Sequence, residues 1–188
     1  MMVYDDEVFT NICYAANGLD GVEYEGCRFE SCDFSGVSFR GVELLDCQFV
    51  NCNFSQVKFY GAGLKNISFS GCKLMGVDFS VASNFLFAVS FADCQLDYSI
   101  FLKKNMKGTS FRNSSVKSAI FEECNLTNAT FDGCNLANTT FIQNNLQKAD
   151  FRTSTEYSLD LEMNKAKGAK FSYPGVLGLL SKYGISIE

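Results

Sequence analysis

A large apolar residue recurs at every fifth position of this chain, and that period fits neither of the two common backbone forms. The row runs through Phe9, Tyr14, Leu19, Tyr24, Phe29, Phe34, Phe39, Leu44 and onward to Phe79. Two inserted residues within Val81-Ala82-Ser83-Asn84-Phe85 shift the frame, which resumes at Leu86 and Phe91 and continues to Phe151. Of the 19 phenylalanines, only Phe85 and Phe87 fall off the frame. An α-helix repeats its faces every 3.6 residues and a strand every two, so neither buries a row spaced by five. The chain must instead turn a corner every five residues and point each large side chain inward.

A second, smaller apolar residue stands two positions before most of the large ones, as at Cys27, Val37, Val42, Cys52, Ala62, Ala119 and Cys134. The unit is therefore small-x-large-x-x, and both inward positions lie on one side of a polygon. Every twentieth residue, with two added across the insertion, reads Phe9, Phe29, Phe49, Phe69, Phe91, Phe111, Phe131, Phe151 and Phe171. The column of Leu19, Phe39, Phe59, Phe79, Phe101, Phe121 and Phe141 is also Phe-rich, whereas that of Tyr24, Leu44, Leu64, Leu86, Met106, Leu126 and Leu146 is mainly aliphatic. Four sides of five residues thus close one coil, and stacking coils buries what a single coil leaves open. The two inserted residues are expected to bulge outward at a corner. Lys104 and Asn144 put polar groups at small inward positions, so distortion is expected in their coils.

The chain has 188 residues, 47% of them apolar, which is enough for one packed unit of ordinary size. It contains no His and no Trp. Without imidazole, His-dependent triads and His-ligated metals are excluded, and an enzyme is not expected. A net charge of −5 disfavours direct nucleic-acid binding through a general basic surface. No apolar run approaches the roughly 20 residues of a membrane helix, and the start of the chain lacks an export signal, so a cytoplasmic protein is expected.

Nine cysteines invite a metal or redox reading, but their spacing follows the repeat. Eight occupy small inward positions, Cys13 is the exception, and no C-x-x-C occurs. They read as small buried hydrophobes. No catalytic, metal-binding or cofactor-binding residue is assigned.

Past Phe151 the frame fades and returns once, at Phe171. The rod is therefore read as residues 1–171 and the tail, 172–188, as a cap. Ser172 offers a helix cap, Pro174 a first turn and Gly184 a stop, with Ile185-Ser186-Ile187 alternating like a strand. Charge is uneven: residues 1–50 hold ten acids against Arg28 and Arg40, while the remainder nets +3. On the repeat frame Glu23, Glu25 and Glu43 project from one side, with Asp20 and Asp46 near its corners, as an acidic surface for a partner. Phe85 and Phe87 are candidate contacts at the bulge.

The array, in stretches such as Cys124-Asn125-Leu126-Thr127-Asn128-Ala129-Thr130-Phe131, resembles the pentapeptide-repeat family. That resemblance implies an all-β, right-handed quadrilateral β-helix of about eight coils, with a short capping helix, on the order of 40 Å long. The ending Val176-Leu177-Gly178-Leu179-Leu180-Ser181-Lys182-Tyr183-Gly184-Ile185-Ser186-Ile187 resembles that of Qnr-type quinolone-resistance members, which dimerise through it. By that resemblance Val176, Leu177, Leu179, Leu180, Tyr183, Ile185 and Ile187 would join two copies. The function it implies is a DNA-mimicking rod that binds DNA gyrase or topoisomerase IV. The alternative is a scaffold or adaptor for an unrelated protein.

Overall fold

The computed structural model describes residues 2–14 and 21–186, and they wind as a four-sided parallel β-helix. The side beginning at Phe9 is a seven-stranded sheet built from Val8–Thr10, Arg28–Glu30, Gln48–Val50, Ile67–Ser70, Val89–Ala92, Ser110–Arg112 and Thr130–Asp132. All neighbours pair in parallel with Phe opposite Phe. The Tyr24 face holds Met2–Asp5, Val22–Glu25, Glu43–Leu45 and Gly63–Lys65. Isolated bridges Asn105↔Asn125↔Asn145↔Lys165 carry its line further. On the Phe39 face the second half forms Ile100–Leu102, Ile120–Glu122 and Thr140–Ile142.

The expected Phe column exists. Successive rings from Phe9 to Phe171 stack with centroids 4.7–5.5 Å apart; Phe34 and Phe54 meet them edge-on in the first half, and from Phe79 onward the Phe39 face does, as Phe111 does Phe121 at 88°. Offset stacking along the rod and edge-to-face contact across it are the two favoured aromatic geometries, so each ring serves both directions at once.

Corners are made by a left-handed residue directly before the small inward one. Gly36 and Gly61 occupy it in the first half and Asn113, Asn128 and Lys148 in the second. Glycine takes this conformation without steric cost, and asparagine tolerates it better than most residues.

The small inward residue also works as a donor. Cys47 Sγ donates to Tyr24 O (3.3 Å) and Cys124 Sγ to Phe101 O (3.3 Å), in each case the carbonyl of a large residue one rung back. The eight inward cysteines are buried free thiols and Cys13 is exposed. Burial pushes the thiol of Cys47 up to about 12 and that of Cys134 up to about 11.

Three expectations are corrected. Asn144 does not distort its coil: its Nδ2 donates to Phe121 O (2.8 Å), its Oδ1 accepts from Cys124 N (2.9 Å), and the bridges beside it continue. Lys104 is likewise accommodated, its amine donating to Ala82 O (2.7 Å) and Asn84 Oδ1 (2.6 Å) over the Phe87 ring. Leu86 does not take the inward place. It sits left-handed at the bulge and is 65% exposed, while Phe87 turns in at 5% exposure because the longer corner moves the inward direction one residue along.

Candidate interaction surfaces

A core this regular leaves chemistry to the outward positions, and the Tyr24 face is the most uneven in charge. Its strands align Val3 with Glu23 and Glu43, and Asp5 with Glu25, Leu45 and Lys65. Asp5 and Glu25 therefore sit one rung apart, roughly 4.8 Å, as do Glu23 and Glu43. Like charges in directly paired positions destabilise a sheet. Glu43 is relieved by Lys65, whose Nζ lies 2.7 Å from Oε2. The carboxylate also leans over Gly63, where a Cβ would collide with it. Asp46 accepts from Asn66 Nδ2 at 2.5 Å.

Four of the five expected acids are thus brought to one face and its corner, and Asp20 lies outside the described residues. Asp5 joins them: five residues before Phe9, Tyr4 is inward and Asp5 stands in Glu25's line, a signal the repeat frame carries one unit ahead of Phe9. At the other end the same face carries Lys165 and Lys167, both exposed, with Lys148 at its corner.

At the bulge, Phe85 is 67% exposed, its ring 5.4 Å from Lys65 Nζ, and Leu86 edges a hollow with Asn66, Asn105 and Lys107. Phe87 is buried beneath, reaching only the floor of that hollow, which corrects its assignment as an exposed contact.

The tail is a run of short helical turns, Pro174–Val176, Leu177–Leu180 and Ser181–Tyr183. Ser172 Oγ accepts from Gly175 N (3.1 Å), and Gly184, left-handed at φ +59°, ends the run. Gly175 and Gly178 let it close onto Tyr157, since a Cβ at either would strike the Tyr157 hydroxyl or carbonyl. Tyr157 is buried and rests against Phe151 and Phe171. Lys182 Nζ binds Asp160 (2.7 Å) and Glu162 (2.9 Å), and those carboxylates hold its ammonium above its usual range. The segment therefore lies over the last coil. Ile185 and Ser186 form no strand. Leu179 and Leu180 are half-buried, whereas Val176, Leu177, Tyr183 and Ile185 are exposed; Ile187 lies outside the described residues.

A model described as a pentapeptide repeat region matches residues 22–101, 42–121 and 82–151. The chain belongs to the pentapeptide-repeat family. Among solved structures it is similar to HetL, a pentapeptide-repeat protein involved in heterocyst differentiation regulation from the cyanobacterium Nostoc sp. strain PCC 7120, at 14% identity and TM-score 0.55 over 91% of this chain and 86% of that one. It is also similar to trypsin-treated QnrB1, a plasmid-mediated fluoroquinolone resistance protein, at 20% identity and TM-score 0.44 over 99% of this chain and all of the other. The likeness to HetL concerns the fold alone. No curated protein sequence matches the chain. Among the described residues, no group of three or more Asp, Glu or Cys side chains is arranged to hold a metal ion, and no helix is long and apolar enough to cross a membrane.

Proposed function

We infer that this member of the family is a non-enzymatic, cytoplasmic rod that binds another protein, and that the acidic end of its Tyr24 face meets a basic surface on that partner. The observation that carries the reading is the stacking of Asp5 on Glu25, with Glu23 on the same rung as Glu25 and Glu43 already paired to Lys65. The unpaired carboxylates Asp5, Glu23 and Glu25 crowd together at a cost in stability in the free rod, and a cationic partner relieves that cost. Proteins that grip duplex DNA present such cationic grooves. DNA gyrase and topoisomerase IV are therefore the partners to test first, with the rod standing in for the duplex and altering quinolone action. The exposed Val176, Leu177, Tyr183 and Ile185 give the cap an end face on which a second copy can seat.

Purified chain titrated against gyrase, with supercoiling followed with and without a quinolone, tests the reading. Binding that weakens from about 50 to about 300 mM salt and is lost in Glu23→Lys/Glu25→Lys supports it. Absence of binding, or binding indifferent to that charge reversal, rejects it. The exposed Phe85 favours a second reading, in which the bulge seats an unrelated partner in an adaptor role; Phe85→Ser would then abolish capture while the double Lys variant would not.

A further inference from the structure

The Tyr24 face carries three chemistries in series along the rod. Its inward residues before the bulge are Tyr4, Tyr24, Leu44 and Leu64, and those after it are Met106, Leu126, Leu146 and Ala166. The bulge is therefore the middle rung of nine. Outward from the first two rungs stand Asp5, Glu23 and Glu25; outward from the last stand Lys165 and Lys167, with Lys148 at the corner one rung earlier. At the middle stand Phe85 and Leu86, both about two-thirds exposed.

We propose that this face pairs with the same face of a second copy, the two rods antiparallel about a two-fold axis at the Phe85–Leu86 bulge. Antiparallel pairing about the middle rung sets the first rung of one copy against the last rung of the other. Asp5 then meets Lys167, and Glu25 faces Gln147 with Lys148 beside it at the corner, at both ends at once. Phe85 and Leu86 of one copy cover those of the other. An isologous contact needs a patch that is complementary to itself under a two-fold axis, and a sequence of acid, apolar and base centred on one rung is such a patch. A parallel pairing would set acid against acid. On the intervening rungs Lys107 of one copy faces the Glu43–Lys65 ion pair of the other, and Asn125, Thr127, Asn145 and Gln147 are uncharged. A cationic partner of any other kind answers the acids but leaves the lysine end and the apolar centre unmatched.

With a face about 40 Å long and about 12 Å wide, the contact covers roughly 1,000 Å² in total, at the low end for specific association, so the dimer is weak and salt-sensitive. The pairing goes beyond the proposed function and bears on it, since a second copy covers Glu25 and competes with any basic partner there.

Sedimentation equilibrium of the purified full chain decides the matter without any partner present. Association is expected at about 50 mM salt and should weaken about tenfold at about 500 mM. Asp5→Lys/Glu25→Lys and Lys148→Glu/Lys167→Glu alter exposed side chains, and circular dichroism checks that each variant remains folded. Each variant alone should lose association by about tenfold or more, and an equimolar mixture of the two should regain it, because both ends of the mixed pair are again complementary. Phe85→Ser/Leu86→Ser should weaken association without altering its salt dependence. A chain that stays monomeric at about 100 μM in low salt overturns the proposal. So does a mixture that fails to recover, or association that is abolished by Leu177→Glu and untouched by the charge reversals, which would assign it to the cap. Monomeric chain that still binds gyrase would reject this pairing and leave the proposed function standing.

Discussion

The first and second halves of the rod follow one backbone path with different residues at the small inward positions and at the corners. Up to Cys94 the small positions hold Val, Ala, Ile and Cys, and nearly every corner from Gly21 to Gly76 is Gly, Asn, Asp, Ser or Gln. From Ser99 onward the buried polar residues appear, Lys104, Thr109, Ser114, Thr139, Asn144, Ser154 and Asn164 among them, and the corners include Tyr98, Lys103, Glu123 and Lys148. The Phe column runs unbroken through both. The backbone thus answers to the large inward residues and to one left-handed residue per corner. The small position requires limited volume and welcomes a donor to the carbonyl one rung back, whether thiol, hydroxyl or amide.

The largest effect should be shared by both halves. Phe49→Ala and Phe131→Ala each remove a fully buried ring from the same column and should each cost about 3–5 kcal/mol, read from urea unfolding. A large difference between them would break the claim that one column supports the whole rod. The small positions should then separate the halves. Asn144→Ala strands both the Phe121 carbonyl and the Cys124 N–H, at a cost of about 2–3 kcal/mol, whereas Cys52→Ala loses only a weak thiol donor and should cost about 1 kcal/mol.

How much of this was legible depends on whether a position obeys the period. The four-sided tube, its Phe column and the burial of eight thiols follow from spacing alone, because a residue's place in the repeat fixes which way it points. The bulge was misread at Leu86 and Phe87, since an insertion suspends the period and local backbone then decides which side chain turns in. The Gly and Asn that recur before many of the small residues are a corner signal that the apolar pattern hides. The compensation at Lys104 and Asn144 could not be read from their own positions, because their partners, Ala82, Asn84 and Phe121, lie about a rung away. The acidic line was legible for Glu23, Glu25 and Glu43, while the pairing of Glu43 with Lys65 needed the register.

Alkali should sharpen the contrast next. The folded rod holds the Cys47 and Cys134 thiols protonated where the unfolded chain releases them near pH 9, so their contribution is complete below that pH. It is lost as pH rises from about 9 toward 11–12, by on the order of 1 kcal/mol per thiol near pH 10. Urea midpoints at pH 8 and about pH 10, under reductant, should fall, and the fall should be smaller in Cys47→Ala. The corners give the smallest effects, with opposite signs. Tyr98→Gly relieves a bulky left-handed residue and should stabilise by roughly 0.5–1 kcal/mol; Gly61→Ala, with open space around the added Cβ, should destabilise by a similar amount.

The central claim is that twenty residues advance the rod by one rung in both halves, with the two extra residues absorbed at the bulge. Spin labels in pairs along one outward line test it directly: Glu30 with Ser70, with Arg112 and with Asp132, measured by pulsed electron paramagnetic resonance. These pairs lie two, four and five rungs apart, so the account predicts mean distances near 10, 19 and 24 Å, rising about 4.8 Å per rung with no step across residues 82–87. Distances that fail to rise with rung number, or that jump between Ser70 and Arg112 by more than two rungs' worth, would contradict it.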